Sequence, residues 1–310
     1  MRYPILSLLC FIVICHVSIG QGCSDAGFCT MGAMKPDQAY SKRINLKLRS
    51  LSVQYYRGQT TLTPIIDAVT IETVVGLGNK SSIQFKIPYQ KVAGTLGQVE
   101  GFGDISLSFT RLLLRTEKFD INGTIGAKIP TNDSRARAEN GLTLPMYYQT
   151  SLGSYDVVVG ASLLSKKWLV AVGYQQALTS NNNDFNYGEW ARFEDREYLG
   201  GYDVGIGLRR GIDVMLRVER NFRFVNYAFN LGLLPIYRIT PDQGILRSRD
   251  DGGSTKTTGL ALSALAGMTY FIDTKNNVKL IYGYKLEDRL ANPDGLTRDW
   301  VLNFTYEFRF

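Results

Sequence analysis

The stretch "DWVLNFTYEFRF", residues 299–310, has two unlike sides. Trp300, Leu302, Phe304, Tyr306, Phe308 and Phe310 fall in one phase. Asp299, Val301, Asn303, Thr305, Glu307 and Arg309 fall in the other, where Val301 is the lone apolar member. Successive side chains on a strand point to opposite faces, so this is a strand with one greasy and one polar surface. Terminal residues are usually frayed and polar; these are patterned to be tied into a sheet.

The same alternation recurs upstream. "SSIQFKIPYQK" sets Ile83, Phe85, Ile87 and Tyr89 against Gln84, Lys86, Pro88 and Gln90. "GDISLSF" at 103–109, "FDINGTIGAKI" at 119–129 and "NVKLIYGY" at 277–284 repeat it. In "INLKLRSLSVQYY" the phase slips from Ile44, Leu46, Leu48 to Leu51, Val53, Tyr55, which predicts a β-bulge near Ser50. Further strands are expected at 66–77, 143–152, 155–165, 167–178, 197–209, 212–224, 226–239 and 257–272. Most run about 10 to 14 residues, at or above the roughly 9 to 11 that cross a bilayer at a tilt. Helical spacing is not sustained over any comparable length.

Connections alternate in kind. Short turns at "GLGNK" (near 78), "RTEK" (115–118), "RRGI" (209–212) and "DTKN" (273–276) alternate with long polar loops at 131–142, 180–197, 240–257 and 287–299. Short turns at one end and long loops at the other is the build of outer-membrane barrels. The expected fold is therefore all-β: a transmembrane antiparallel β-barrel of about 12–14 strands over 44–310. Between the loops at 180–197 and 240–257 the strand number must be even, yet three strands are readable. Within 197–239, either one strand is really loop or one long strand has been divided in two.

Composition agrees. Hydrophobic residues make up 45% of the 310-residue chain, with 31 Gly, 18 Tyr and 15 Phe, which suits sheets and tight turns. The formal net charge is +7, but Lys and Arg are scattered without a run, so they are solvated faces and loops and not a nucleic-acid surface. "MRYPILSLLCFIVICHVSIG" reads as a secretory signal peptide over 1–20: one positive charge, a short apolar stretch, then small residues at Ser18 and Gly20. Cys10 and Cys15 leave with it. Cys23 and Cys29 remain for an oxidising compartment, where a small disulfide loop is the default. Lipidation of Cys23 is the alternative, although "GQG" before it lacks the leucine a lipoprotein signal uses.

The single histidine, His16, lies inside that leader. Without histidine there is no Ser-His-Asp or Cys-His nucleophile and no His-based zinc site. The carboxylates of "FEDRE" at 193–197 read as a solvated loop. No catalytic residue, metal or cofactor is expected, and the chain is not read as an enzyme.

Two short motifs carry a resemblance. Gly101-Phe102-Gly103-Asp104 opens a strand, and Lys128-Ile129-Pro130-Thr131-Asn132 closes the next. They resemble the Gly-Leu-Gly-Asp and Lys-Leu-Pro-Thr-Gly motifs of the outer-membrane transporters annotated through the MetA pathway of phenol degradation, which are FadL-like in architecture. Read on their own, Gly101 and Gly103 permit positive φ at a turn, Asp104 can accept from turn amides, and Asn132 tolerates the left-handed region in place of the family glycine. The resemblance implies passive uptake of hydrophobic or aromatic small molecules across the outer membrane of a Gram-negative bacterium. It also implies a lumen plugged from the N-terminal side, here by residues 21–43 with Phe28 and the Cys23–Cys29 loop. The expected partners are outer-membrane lipid and lipopolysaccharide, the hydrophobic substrate and the barrel-assembly machinery. Leu302, Phe304, Tyr306, Phe308 and Phe310 resemble the signal that this machinery reads. Two other functions fit the pattern: a general diffusion porin with a polar lumen, and a structural or adhesive barrel. In the latter, Tyr187, Trp190 and Phe193 would form a contact surface unless they pack on one another.

Overall fold

The computed structural model describes residues 47–60, 62–247 and 256–310. The signal peptide over 1–20, the plug segment 21–43 with Cys23 and Cys29, and the start of the barrel at 44–46 lie outside the described residues.

Fifteen strands occur among the described residues: β1 (Lys47–Gln59), β2 (Ile65–Leu77), β3 (Ser81–Gly94), β4 (Gly97–Phe102), β5 (Ile105–Arg115), β6 (Phe119–Ile129), β7 (Asp156–Ser165), β8 (Trp168–Ala177), β9 (Val204–Arg209), β10 (Asp213–Arg223), β11 (Tyr227–Arg238), β12 (Gln243–Arg247), β13 (Gly259–Phe271), β14 (Asn276–Glu287) and β15 (Trp300–Arg309). Each barrel strand runs antiparallel to its neighbours, and β15 closes the ring against β1 from Ser50↔Arg309 to Gln59↔Trp300. Setting aside β4, β9 and β12, twelve strands form the closed wall. The β1–β2 register slips between Leu48 and Ser50, one residue from the bulge read in the sequence.

β4 is the upper half of a bent strand. β3 pairs with β5 along Ser81–Lys86 and with β4 along Tyr89–Gly94. The bend falls at Gly103, whose amide donates to Pro88 O at 2.9 Å. β9 and β12 form a separate two-stranded ribbon at the long-loop end.

The sequence faces sort as lipid and lumen. Val53, Ile71, Ile125, Val172, Leu231 and Leu280 point outward and exposed. Two aromatic belts flank this aliphatic band. Tyr55, Tyr89, Phe102, Tyr155, Tyr237 and Tyr284 sit toward the long loops; Trp168, Phe222, Tyr227, Tyr270, Tyr306 and Phe310 sit toward the short turns. Amphipathic rings collect at the two membrane–water boundaries, so this surface is built for a bilayer. The opposite phase turns Ser50, Ser52, Gln54, Glu72, Gln84, Lys86, Ser106 and Ser108 inward, all buried. At the short-turn end small side chains cap the amides: Thr116 Oγ1 accepts from Phe119 N at 3.1 Å, and Asp273 Oδ1 from Asn276 N at 2.7 Å.

Two expected strands are absent. Residues 143–152 hold a single 3-10 turn, Met146–Tyr148, with all three side chains buried. A strand facing lipid must leave one phase exposed, whereas this stretch is enclosed on all sides. Residues 197–209 form a short helix α1 (Arg196–Gly200), capped by Asp195, and then the ribbon strand β9. That removes the third strand between the two loops and restores even parity. "RRGI" at 209–212 consequently lies at the long-loop end, joining β9 to β10, and is not a short barrel turn.

Placing a cation in the aliphatic band tests the two-faced assignment. Leu280, mid-strand between Met268 and Phe304, points to lipid. Leu280→Arg is expected to lower stability by about 2–4 kcal/mol, read by urea unfolding of the barrel refolded into vesicles.

Candidate functional site

The lumen wall mixes polar, charged and apolar side chains. Along β1–β6 it presents hydroxyls, amides and charges, among them Gln54, Glu72, Lys86, Thr110, Thr124 and Lys128. Along β7–β13 it presents Val158, Leu169, Ala171, Met215, Leu234 and Leu265 together with Gln175, Arg217, Glu219, Asn230 and Ser263, all buried in the inward phase. Most charges inside are paired, as burial demands. Glu72, fully buried, accepts from Gln54 Nε2 at 2.7 Å and faces Lys86 Nζ at 3.3 Å. Glu219 pairs with Arg217 and accepts from Asn230 at 3.1 Å. Lys279 meets Glu307 at 3.1 Å.

At the long-loop end the barrel is filled by its own connections. The loop at 130–155 turns inward, burying Met146 and packing Leu144, Tyr147 and Tyr148 in one cluster with Ile66, Val92 and Leu96. Tyr148 Oη accepts from Leu96 N at 3.0 Å and lies 3.3 Å from Tyr202 Oη, which is itself 2.7 Å from Tyr198 Oη. Burial is the chief cause that pushes the Tyr148 phenol up to about 12 and the Tyr202 phenol higher, so both are neutral hydrogen-bonding groups. The loop at 178–203 lies over this core. Trp190, 2% exposed, donates Nε1 to Thr143 O at 2.9 Å and packs edge-on with Phe185 and Phe193, so it is not a contact surface.

A third loop, 288–299, is latched by charge. Arg238, 1% exposed, grips Asp213 with Nε and Nη2 at 2.8 and 2.7 Å, and donates from Nη1 to both oxygens of Asp242 at 2.8 and 2.9 Å. Its Nη2 also reaches Asp294 at 2.9 Å, and Arg289 approaches the same carboxylate at 3.3 Å. Burial alone would raise Asp294, but Arg238, Arg289 and Arg210 outweigh it and hold the carboxyl below its ordinary range. Asp242 moves the other way, because burial dominates there and Arg238 only partly offsets it. Gly295 follows at φ +64°, where a Cβ would fall 2.5 Å from the Tyr147 amide nitrogen. A glycine is required at that point so that two loops can interlock.

The resemblance motifs meet at this rim. Asp104 faces the lumen, accepts from Ser151 Oγ at 2.5 Å and Leu152 N at 3.2 Å, and lies 3.9 Å from Lys128 Nζ. Thr131 Oγ1, next to Pro130, donates to Phe102 O at 2.6 Å. Gly101 and Gly103 do not sit at positive φ. Gly103 is small because a Cβ would collide with the Gln90 and Pro88 side chains. The left-handed residue after β6 is Ser134, at φ +59°, and not Asn132. Leu302, Phe304, Tyr306, Phe308 and Phe310 lie on the outward face of β15 and just beyond it, with Phe308 and Phe310 stacked edge-to-face at 4.8 Å. Sequence reasoning did not single out Tyr148, Tyr202, Arg238, Asp294 or Arg298. The charged ones stood in loops or at a strand end, where alternation gives no face.

The sequence matches no family model and no curated protein. Among solved structures, the chain is similar to the COG4313 outer membrane channel from Pseudomonas putida F1, with 15% identity and a TM-score of 0.60 over 88% of this chain and 99% of that one. The NanC porin (9% identity, TM-score 0.44, 85% of this chain and 100% of that one) and the KdgM porin (8%, 0.43, 84% and 99%) align more loosely. The likeness to the Pseudomonas channel establishes the architecture: this is a closed twelve-stranded barrel of the outer-membrane type.

The latch gives a pH signature. A carboxylate held below its unfolded value contributes stability that is present above the unfolded pKa and lost as pH falls through the folded one. Asp242, raised, works in the opposite sense, its contribution being fullest at low pH. Comparing the parent with Asp294→Asn isolates the first effect. Acidification from about pH 5 to about pH 1 should progressively loosen the 288–299 loop in the parent and change the variant less, read by hydrogen exchange. Arg238→Ala removes the guanidinium shared by Asp213, Asp242 and Asp294 and should cost about 3–5 kcal/mol in denaturant unfolding.

Proposed function

We propose that this chain is a passive channel of a Gram-negative outer membrane that admits small amphiphilic solutes past loops folded into its lumen. The observation that carries this reading is the mixed apolar and polar lining of the lumen inside a lipid-facing barrel. Val158, Leu169, Met215, Leu234 and Leu265 share the inward phase with Gln54, Lys86, Lys128, Arg217 and Glu219. A solute with a polar head and a short apolar body finds complementary surface for each part in such a lining. The short turns then face the periplasm and the long loops the outside, by the usual order of such barrels.

A second reading is the hydrophobic or aromatic cargo implied by the resemblance to the MetA-pathway, FadL-like transporters. It is supported by Val158, Leu169, Ala171, Met215, Leu234 and Leu265 and by the meeting of Gly101–Asp104 with Pro130 and Thr131. An unselective open porin is disfavoured by the aromatic packing of Tyr147, Tyr148 and Tyr202 at the long-loop end. For biogenesis, the outward phase of Leu302, Phe304, Tyr306, Phe308 and Phe310 supports their reading as the assembly signal. Export by the 1–20 signal peptide, and a periplasmic or plug segment at 21–43 with a Cys23–Cys29 disulfide, belong to the same proposal.

Planar-bilayer recording of the refolded protein decides between a channel and a sealed barrel. Small, stable current steps are expected, and the double variant Tyr148→Ala/Tyr202→Ala should enlarge them several-fold. Silence in both proteins, with vesicles impermeable to small sugars, would remove the channel function.

A further inference from the structure

Among the described residues, the buried guanidiniums of Arg210, Arg217, Arg238 and Arg289 each face a carboxylate. Arg298 does not. It is 7% exposed, at the end of the 288–299 loop where β15 begins, and it makes no ion pair. Its Nη1 donates only to the carbonyls of Gly295 and Thr297, at 2.7 and 2.8 Å, and its buried Nε has no hydrogen-bond partner. A buried cation without a counter-charge is strongly unfavourable unless something else supplies the charge.

The surroundings indicate what that is. Arg298 lines a lumen cavity of about 110 Å³ together with Lys86, Lys128 and Asp104. Among the described residues, and including Glu72 behind Lys86, three cations stand against two carboxylates, a surplus of one positive charge. Asp104 is already engaged by Ser151, Leu152 N and Lys128. Gln54, Gln90 and Gln149 add neutral polar groups to the lining, while Ile66, Ala68, Pro88, Leu152 and Leu296 give it an apolar side. The space equals roughly three to four waters of liquid volume, which is room for a carboxylate and a few carbons.

We infer that this cavity is a subsite for a small organic monocarboxylate, its oxygens on Arg298 and its short apolar tail against Ile66, Pro88 and Leu296. A planar guanidinium matches a carboxylate in charge and fork geometry. The subsite names the solute class of the channel proposed above, and that transport role rests on the channel reading; binding itself does not.

The test uses the whole refolded protein in detergent with propionate, its neutral isostere propionamide, or sodium chloride at matched ionic strength. Propionate should raise the melting temperature by several degrees, and propionamide and chloride should not. Arg298→Gln should abolish the response and Arg298→Lys retain part of it. Equal shifts with chloride and propionate, or an unchanged response in Arg298→Gln, would overturn the subsite. Should Arg298→Gln fail to refold, the contrast between propionate and propionamide on the parent still decides. In bilayers propionate should also reduce the current. A protein that binds propionate but never conducts leaves the subsite standing and removes the channel; one that conducts and ignores propionate does the reverse.

Discussion

Everything in this molecule follows from the backbone hydrogen bonds between β1 and β15. Lipid offers no partner to an amide or a carbonyl, so a sheet that enters a bilayer has to leave no edge. Ten cross-strand pairs, from Ser50↔Arg309 to Gln59↔Trp300, remove the last one. Once the ring is closed, the two phases of every strand have fixed destinations. The apolar phase faces lipid and the other encloses a space that must be filled with water, side chains or solute.

The interior resolves that demand unevenly. Toward the short turns it is crossed by paired charges such as Lys279 with Glu307 and Arg217 with Glu219. Toward the long loops it is filled by chain, with tyrosines whose hydroxyls satisfy one another and a peptide amide. At the long-loop end Arg238 ties strands β10 and β11 to the connections that follow β11 and β14. Arg298 stands apart from this pairing, and that exception gives the cavity beside it a chemical preference.

Much of the barrel was legible in the sequence because lipid imposes the same rule on each strand. The stretches 155–165, 167–178, 212–224, 226–239 and 257–272 alternate cleanly, and each became a wall strand within a residue or two. The rule lapses wherever chain is enclosed on all sides. "TLPMYYQT" at 143–150 looks like strand, yet it is packed in the lumen, where no phase needs to be exposed. Residues 197–209 misled for a related reason, and the parity of strands between two long loops was the clue that one of them did not cross. Lumen-facing Gln54, Lys86 and Lys128 could be read as inward from their phase. Their partners could not, because ion pairs such as Glu72 with Lys86 depend on cross-strand register, and Asp294 and Arg298 depend on how a loop returns.

The ring closure also governs the order of events in assembly. Ser50 and Arg309 lie at opposite ends of the described chain, so their pairing is among the most sequence-distant contacts the molecule makes. Hairpins such as β13–β14 can form locally and early, whereas the seam forms only when the remaining wall is in place. Until then β1 and β15 each present an unpaired edge, which is the most aggregation-prone state of any sheet. A longer-lived open seam therefore means longer exposure of two strand edges to pairing with another chain.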